Sequence, residues 1–368
     1  MSALFTRTQV GPIPLKHRVV MAPLTRARTA MPGGTPDDLV VEYYRQRASE
    51  GGLIISEAVA ISASGCGWYG APGLYNEAQS PGWQQVTNAV HAKGGRIFAQ
   101  LWHAGRASHV DILGDQPVSA SVDPGYWQND KITIQTGEGW KRPSPHRSLK
   151  LNEIDDILQD YVSAAELAKR AGFDGVELHG ANGYLPDQFL QDGSNRRTDV
   201  YGGSIENRTR FFIEATEALA SVFGGDRVGA RIAPASTRNR MSESDPRGLF
   251  DHLATKLNAF GLAYLHVIEP ALADLRGGEC HVTSRYLRSV FKGAIIAAGG
   301  FSPETALQIV QRHGADLVAF GRLFISNPDL PERMRDGHPL APCDSETFFT
   351  PGPKGYTDYP NFVTPTNA

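Results

Sequence analysis

Gly175-Val176-Glu177-Leu178-His179 is a short apolar run that leads through Gly180-Ala181 into Asn182-Gly183-Tyr184, so a candidate strand ends in hydrogen-bonding side chains. Alternation along a strand sends Glu177 and His179 to one face and Val176 and Leu178 to the other. Gly180 and Gly183 then let the chain turn so that Asn182 and Tyr184 converge near His179. Seven more runs read as strands: Arg18 to Ala22, Leu53 to Glu57, Arg96 to Leu101, Val228 to Ile232, Tyr264 to Ile268, Ala294 to Ala298 and Leu317 to Phe320. The helices between them have readable ends. Ser80-Pro81 precedes Trp83, Val86 and Val90, with Gly94 beyond, and Ser302-Pro303-Glu304 precedes Leu307 and Val310, with Gly314 beyond. Eight alternating units predict an α/β fold, a single closed (β/α)8 barrel of the TIM type, in preference to an open doubly wound sheet.

The 368 residues suit one such barrel, which typically runs to about 250 residues and can exceed 400 with insertions. One connection is too long for a barrel loop. It runs from 107 to 149 with Pro117, Pro124, Pro143 and Pro145 and an alternating stretch, Lys131 to Gln135, and reads as a lid insertion after strand three containing a small hairpin. The tail, 342–368, carries Lys354-Gly355-Tyr356-Thr357-Asp358-Tyr359-Pro360 and is expected to dock near the active site.

A net charge of −3, with both signs mixed along the chain, offers no basic stripe for nucleic acid and no cationic face for a membrane. Small molecules are the expected partners. Cys66, Cys280 and Cys343 are isolated, with no Cys-x-x-Cys, so no disulfide framework or metal cluster is encoded. The N-terminus lacks a long apolar run, and no stretch approaches the roughly 20 apolar residues of a spanning helix. The expectation is a cytoplasmic protein.

In a barrel, function collects at the C-terminal ends of the strands. Gly299-Gly300 and Gly321-Arg322 end the last two, where exposed backbone N–H groups and a cation can hold phosphate, although glycines also simply turn the chain. Gln100 and Trp102 share a face, and Gln100 is either satisfied by neighbouring backbone or touches a ligand. Arg231, between Ala230 and Ile232, is a buried cation that needs an anion, either Glu177 or Glu57 within the protein or a ligand. His179 alone would read as a core histidine. A zinc site lacks a second ligand at a recurrent spacing, a Ser or Cys nucleophile lacks its motif, and no Lys ends a strand to form a Schiff base. No Gly-x-Gly-x-x-Gly or P-loop is present to hold a dinucleotide or nucleotide.

Taken together, Met21-Ala22-Pro23-Leu24-Thr25-Arg26, Ile55-Ser56-Glu57-Ala58, Gly70-Ala71-Pro72-Gly73 and Gln100-Leu101-Trp102-His103-Ala104-Gly105-Arg106 resemble the Old Yellow Enzyme family of FMN-dependent ene-reductases. The likeness continues through Gly172 to Leu185, Arg197 to Arg208, Phe320-Gly321-Arg322 and Gly355 to Pro360, and is similar to the N-ethylmaleimide reductase and pentaerythritol tetranitrate reductase branch. The family is built on single (β/α)8 barrels.

The resemblance implies FMN as cofactor and NADPH, or NADH, as reductant. It places Pro23, Thr25, Ala58, Gln100 and Arg231 along the isoalloxazine ring, and Gly299, Gly300, Gly321 and Arg322 at the phosphate. It implies that His179 and Asn182 hold the oxygen of an activated alkene or nitro compound, that hydride passes from flavin N5 to Cβ, and that Tyr184 protonates Cα. Trp68, Trp102 and Tyr356 would wall the substrate pocket. Reduction of nitrate esters or nitroaromatics at the same flavin is the alternative activity. The expected assembly is a monomer or homodimer, with no resident metal.

Overall fold

The computed structural model describes residues 3–31, 33–270 and 282–363, so Cys280 and the last five residues of the tail lie outside the described residues. Eight parallel strands close into a barrel: β1 Val19–Met21, β2 Leu53–Ala60, β3 Arg96–Trp102, β4 Gly175–Gly180, β5 Val228–Ile232, β6 Tyr264–Ile268, β7 Ala294–Ala298 and β8 Leu317–Phe320. Every expected strand is present. β2 continues to Ala60 because it survives a break in register between Ile55 and Ala58. At that break the polar pair turns its hydrogen bonding to side chains. Ser56 Oγ accepts from Gln100 N at 3.1 Å, and a Glu57 carboxylate oxygen accepts from Arg26 N at 3.1 Å.

Alternation divides the strand residues between two layers. Val19, Ile54, Ile97, Val176, Leu178, Val228, Leu265 and Val318 pack with helix residues such as Val40, Trp83 and Ile154. The other set, Val20, Ile55, Phe98, Tyr264, Ile296 and Leu317, packs together with Val10, Ile13 and Leu15 of an N-terminal hairpin, Thr8–Val10 paired with Ile13–Leu15. Gly175 and Gly229 make room for the large rings, since a Cβ at either would lie 2.5 Å from Phe98 or 2.3 Å from Tyr264. Next along β3 to β6 on this same face come Gln100, Glu177, His179, Arg231 and His266, all buried. The barrel therefore changes from apolar to polar toward its C-terminal mouth.

Between β3 and the helix Leu151–Arg170, the insertion holds an antiparallel pair, Ile134–Thr136 with Gly139–Lys141, beginning three residues later than the alternating stretch predicts. A parallel pair, Val118–Ser119 with Arg147–Ser148, closes the base of the insertion. Ser302 caps Pro303–Gln311 through Thr305 N, as its sequence predicts. Among the described residues no helix is long and apolar enough to cross a membrane, and no three His, Cys, Asp or Glu side chains cluster to hold a metal ion.

Three buried histidines accept hydrogen bonds from backbone N–H groups: His17 Nδ1 from Val19, His103 Nδ1 from Gly105 and His146 Nε2 from Asp123. Such a nitrogen must be unprotonated. Burial pushes His103 down from 6.5 to about 3. The unfolded chain takes up this proton near pH 6.5 and the folded chain does not, so the His103 contribution is lost as pH falls below 6.5. His103→Asn keeps an acceptor for Gly105. We expect urea unfolding to show wild type losing about 1.4 kcal/mol per pH unit relative to this variant between pH 6 and 4. Parallel pH profiles would refute that role for His103.

Candidate active site

Two cavities adjoin at the C-terminal mouth of the barrel. The inner one, about 720 Å³, lies over the ends of β1, β7 and β8 and is lined by Pro23, Arg231, Gly299, Gly300, Gly321 and Arg322 among others. The outer one, about 640 Å³, is lined by Trp68, by Lys131, Ile132 and Trp140 of the insertion, by Arg238, Asn239 and Arg240 of the β5 loop, and by Phe349 of the tail. Arg238 lines both.

The inner cleft brings six of the nine expected cofactor residues to one space. Gly300 has φ +83° and no atom within 4 Å of a Cβ built on it, so its backbone faces an opening that a side chain would fill. Gly321 turns the chain directly from β8 into the short helix Arg322–Ser326. Arg231 is 8% exposed, its side chain makes no hydrogen bond with the described residues, and its Nε is buried without a partner. Glu57 does not serve it, being engaged with Arg26, Ala27 and Tyr44. Glu177 does not reach it either. Its two oxygens meet Gln100 Nε2 at 2.7 Å and His266 Nδ1 at 2.9 Å. A buried guanidinium left unpaired by its neighbours is poised for an anion from outside the chain. The donor set thus fits a planar, anionic cofactor carrying a phosphate.

Gln100, through that bond to Glu177, is held in the polar layer beneath the mouth. Burial alone would raise the Glu177 carboxyl, but His266, Arg231 and the two hydrogen bonds outweigh it and hold it below 4.5. Burial lowers His266, so at neutral pH a neutral imidazole donates to an ionised carboxylate. Thr25 is half-buried four residues beyond β1. Ala58 belongs to an apolar cluster with Trp68, Trp102 and Tyr184, of which Trp68 lines the outer cavity.

The expected trio lies at the end of β4. Tyr184 meets His179 edge-on, with ring centroids 4.8 Å apart, and Trp102 at 5.1 Å. Asn182 sits between them in sequence at φ +60°, a left-handed turn that Asn tolerates better than most residues. Burial, with Arg231 and His266 nearby, drives His179 well below 6.5, so it is neutral and its Nδ1 is buried without a partner. Burial raises the Tyr184 phenol above 10, and its hydroxyl makes no hydrogen bond with the described residues. A neutral imidazole, an amide and a protonated phenol can hold an oxygen and deliver one proton.

Of the expected substrate residues Trp68 lines the outer cavity, Trp102, His179 and Asn182 line neither, and Tyr356 belongs to a different packing cluster from Trp68 and Trp102. Tyr356 is fully buried, stacked on Tyr43 at 4.0 Å with Arg28 over its ring at 4.5 Å, and lines neither cavity. Phe349 takes the wall position, 5.0 Å from Trp68 and 5.7 Å from Trp140. The reason is the buried arginine pair. Arg26 and Arg28 donate to the carbonyls of Thr347, Phe348, Gly352, Lys354 and Gly355, which fixes the tail so that Tyr356 packs inward. Sequence reasoning also passed over His266, Arg238 and Trp140. His266 was detectable, since it alternates onto the face of Glu177 and Arg231.

A family model described as NADH:flavin oxidoreductase / NADH oxidase matches residues 3–341. 12-oxophytodienoate reductase 7 of Oryza sativa subsp. japonica is 45% identical over 377 residues, covering 97% of this chain and 94% of that protein. The Old Yellow Enzyme homologue from Zymomonas mobilis superposes with a TM-score of 0.92 at 40% identity, over 98% of this chain and 100% of its own. Morphinone reductase in complex with tetrahydroNAD does so with a TM-score of 0.91 at 44% identity, over the full length of both chains. With the flavin-shaped inner cleft, these matches make the chain a flavin-dependent NAD(P)H oxidoreductase, and it belongs to the Old Yellow Enzyme family of FMN-dependent ene-reductases.

Proposed function

We propose that this chain reduces a carbon–carbon double bond conjugated to a carbonyl or nitro group, with Tyr184 as the proton donor. The observation that carries the reading is the Tyr184 phenol, held protonated and packed edge-on against His179 and Trp102, with a hydroxyl free of any hydrogen-bond partner among the described residues. FMN, when bound, supplies the hydride chemistry, accepting from a reduced nicotinamide and donating to the alkene. His179 and Asn182 hold the substrate oxygen. Because His179 is neutral, its interaction strengthens as negative charge develops on that oxygen, which lowers the barrier selectively. Tyr184 gives its proton to Cα. Arg231 and Gln100 would serve the ring of the cofactor, Arg231 with fixed positive charge, while Gly300, Gly321 and Arg322 would hold its phosphate. Pro23, Thr25 and Ala58 complete the cofactor's surroundings. Trp68, Trp102 and Phe349 exclude water and select the alkene. The cations Lys131, Arg238 and Arg240 at the outer cavity suit the pyrophosphate of NADPH or NADH.

The purified protein should be yellow and release FMN on denaturation. Under anaerobic conditions NADPH or NADH should bleach it, and cyclohexenone or N-ethylmaleimide should restore the colour with multiple turnover. Failure to bind FMN would overturn the reading. Reoxidation by a nitrate ester or nitroaromatic but by neither alkene would favour the alternative activity.

A further inference from the structure

We propose that Asp187, Gln188 and Asn239 are positioning residues that fix the peptide joining Asn182 to Gly183, and through it the aim of Asn182 and Tyr184. The inference rests on the functional reading above. Asn182 and Gly183 are consecutive left-handed residues, at φ +60° and +76°. Asn and Gly are the residues that adopt such a turn most readily, and its orientation is then set by what holds its backbone groups.

Here both ends of one peptide plane are held by side chains. The Asn182 carbonyl accepts from Asn239 Nδ2 at 2.8 Å, and the Gly183 N–H donates to Asp187 Oδ2 at 2.8 Å. The next carbonyl, that of Gly183, accepts from Gln188 Nε2 at 2.7 Å. Three successive backbone groups of the turn therefore end on three side chains, two from the helix Leu185–Leu190 and one from the β5 loop.

Each clamp is itself braced. Asp187 Oδ1 accepts from Gln191 Nε2 at 2.7 Å, and Asp187 and Gln188 are fully buried. Gln188 Nε2 also reaches the Ala104 carbonyl at 3.1 Å, while its Oε1 accepts from Arg106 N at 3.2 Å and Ser119 Oγ at 3.0 Å. This joins the β3 loop that follows Trp102 to the turn that precedes Tyr184. Asn239 accepts from Tyr126 Oη at 3.3 Å, and its carbonyl from Arg106 Nη2 at 3.1 Å. The fit is close, since a Cβ on Gly183 would lie 2.6 Å from Asn239 Cβ.

Asp187 and Gln188 are fully buried and their side chains end on backbone groups of the turn, so they act through it. Both Asp187 oxygens serve only as acceptors. Asparagine can satisfy the same two partners once the Gln191 amide turns over, whereas leucine cannot. Asn239→Gly removes only the side chain, at a half-exposed site whose φ of +55° glycine adopts freely.

The test uses the FMN-loaded enzyme and reads phenol binding by titration calorimetry beside cyclohexenone kcat and KM. Asp187→Leu and Asn239→Gly should each weaken phenol binding and lower kcat by about ten- to a hundredfold, while Asp187→Asn stays within about threefold of wild type. If Asp187→Leu does not fold, Asn239→Gly decides. Wild-type phenol affinity and kcat in Asn239→Gly or in folded Asp187→Leu would overturn the proposal, as would an Asp187→Asn as impaired as Asp187→Leu. Wild type that neither binds phenol nor reduces cyclohexenone would instead remove the functional reading, and this inference with it.

Discussion

Replacing Tyr184 by phenylalanine is expected to slow cyclohexenone reduction by about 10²- to 10⁴-fold, the contribution typical of a positioned general acid. The change should be confined to that half-reaction. Phenylalanine keeps the ring that packs edge-on against His179 and Trp102, so the pocket retains its shape. The lost hydroxyl holds no hydrogen bond with the described residues, so folding stability should change by less than about 0.5 kcal/mol. Hydride delivery from NADPH needs no proton from Tyr184, and stopped-flow bleaching of the flavin should stay within about twofold of wild type. Because burial raises the phenol above 10, the wild-type rate of the alkene step should also show no downward limb due to Tyr184 between pH 6 and 9. Equal losses in both half-reactions would remove Tyr184 from the role of acid and make it a wall residue.

Glu177→Leu is expected to be the most destabilising single change at the mouth of the barrel. Glu177 is fully buried, accepts from Gln100 and His266, and sets the field around Arg231. Leucine leaves a buried Gln100 amide and a buried His266 N–H unpaired and removes the negative charge that favours the Arg231 cation. Removing one partner of such a set costs about 3–5 kcal/mol, which should appear as a lower urea midpoint. Glu177→Gln keeps one acceptor and should cost less. The pH dependence follows from the depressed carboxyl. Its stabilisation is present above the unfolded value of 4.5 and is lost as pH falls through the lower folded value, so the gap between wild type and Glu177→Leu should narrow in acid. Equal urea midpoints at neutral pH would show that Glu177 is dispensable to the polar layer.

Much of this was readable before any coordinates. The strands were legible because parallel strands covered on both faces must be apolar throughout, and Val176, Leu178, Ala230 and Ile296 obey that rule. The polar residues at their C-terminal ends stood out because they interrupt apolar runs, although each also had a structural reading, and Gln100 proves to be satisfied by Glu177. The tail was misread for a physical reason. Tyr356 and Phe349 are both aromatic and seven residues apart, and local pattern does not say which one turns toward the pocket. That depends on where Arg26 and Arg28, more than 300 residues earlier, place their hydrogen bonds. The partner of Arg231 was undecidable for the same reason. Two carboxylates were candidates, and both prove to be engaged elsewhere.

The sequence by itself determined the eight strands, the loops that carry the chemistry, and the trio of His179, Asn182 and Tyr184, because periodicity and turn residues act over a few positions. Tertiary structure alone decided closure and register, which set Glu177 beside Gln100 and His179 beside Arg231 across neighbouring strands. It also decided which buried groups remain without partners. Pairing depends on distances between residues far apart in the chain. At this mouth that pairing leaves the Arg231 Nε and the Tyr184 hydroxyl without partners among the described residues.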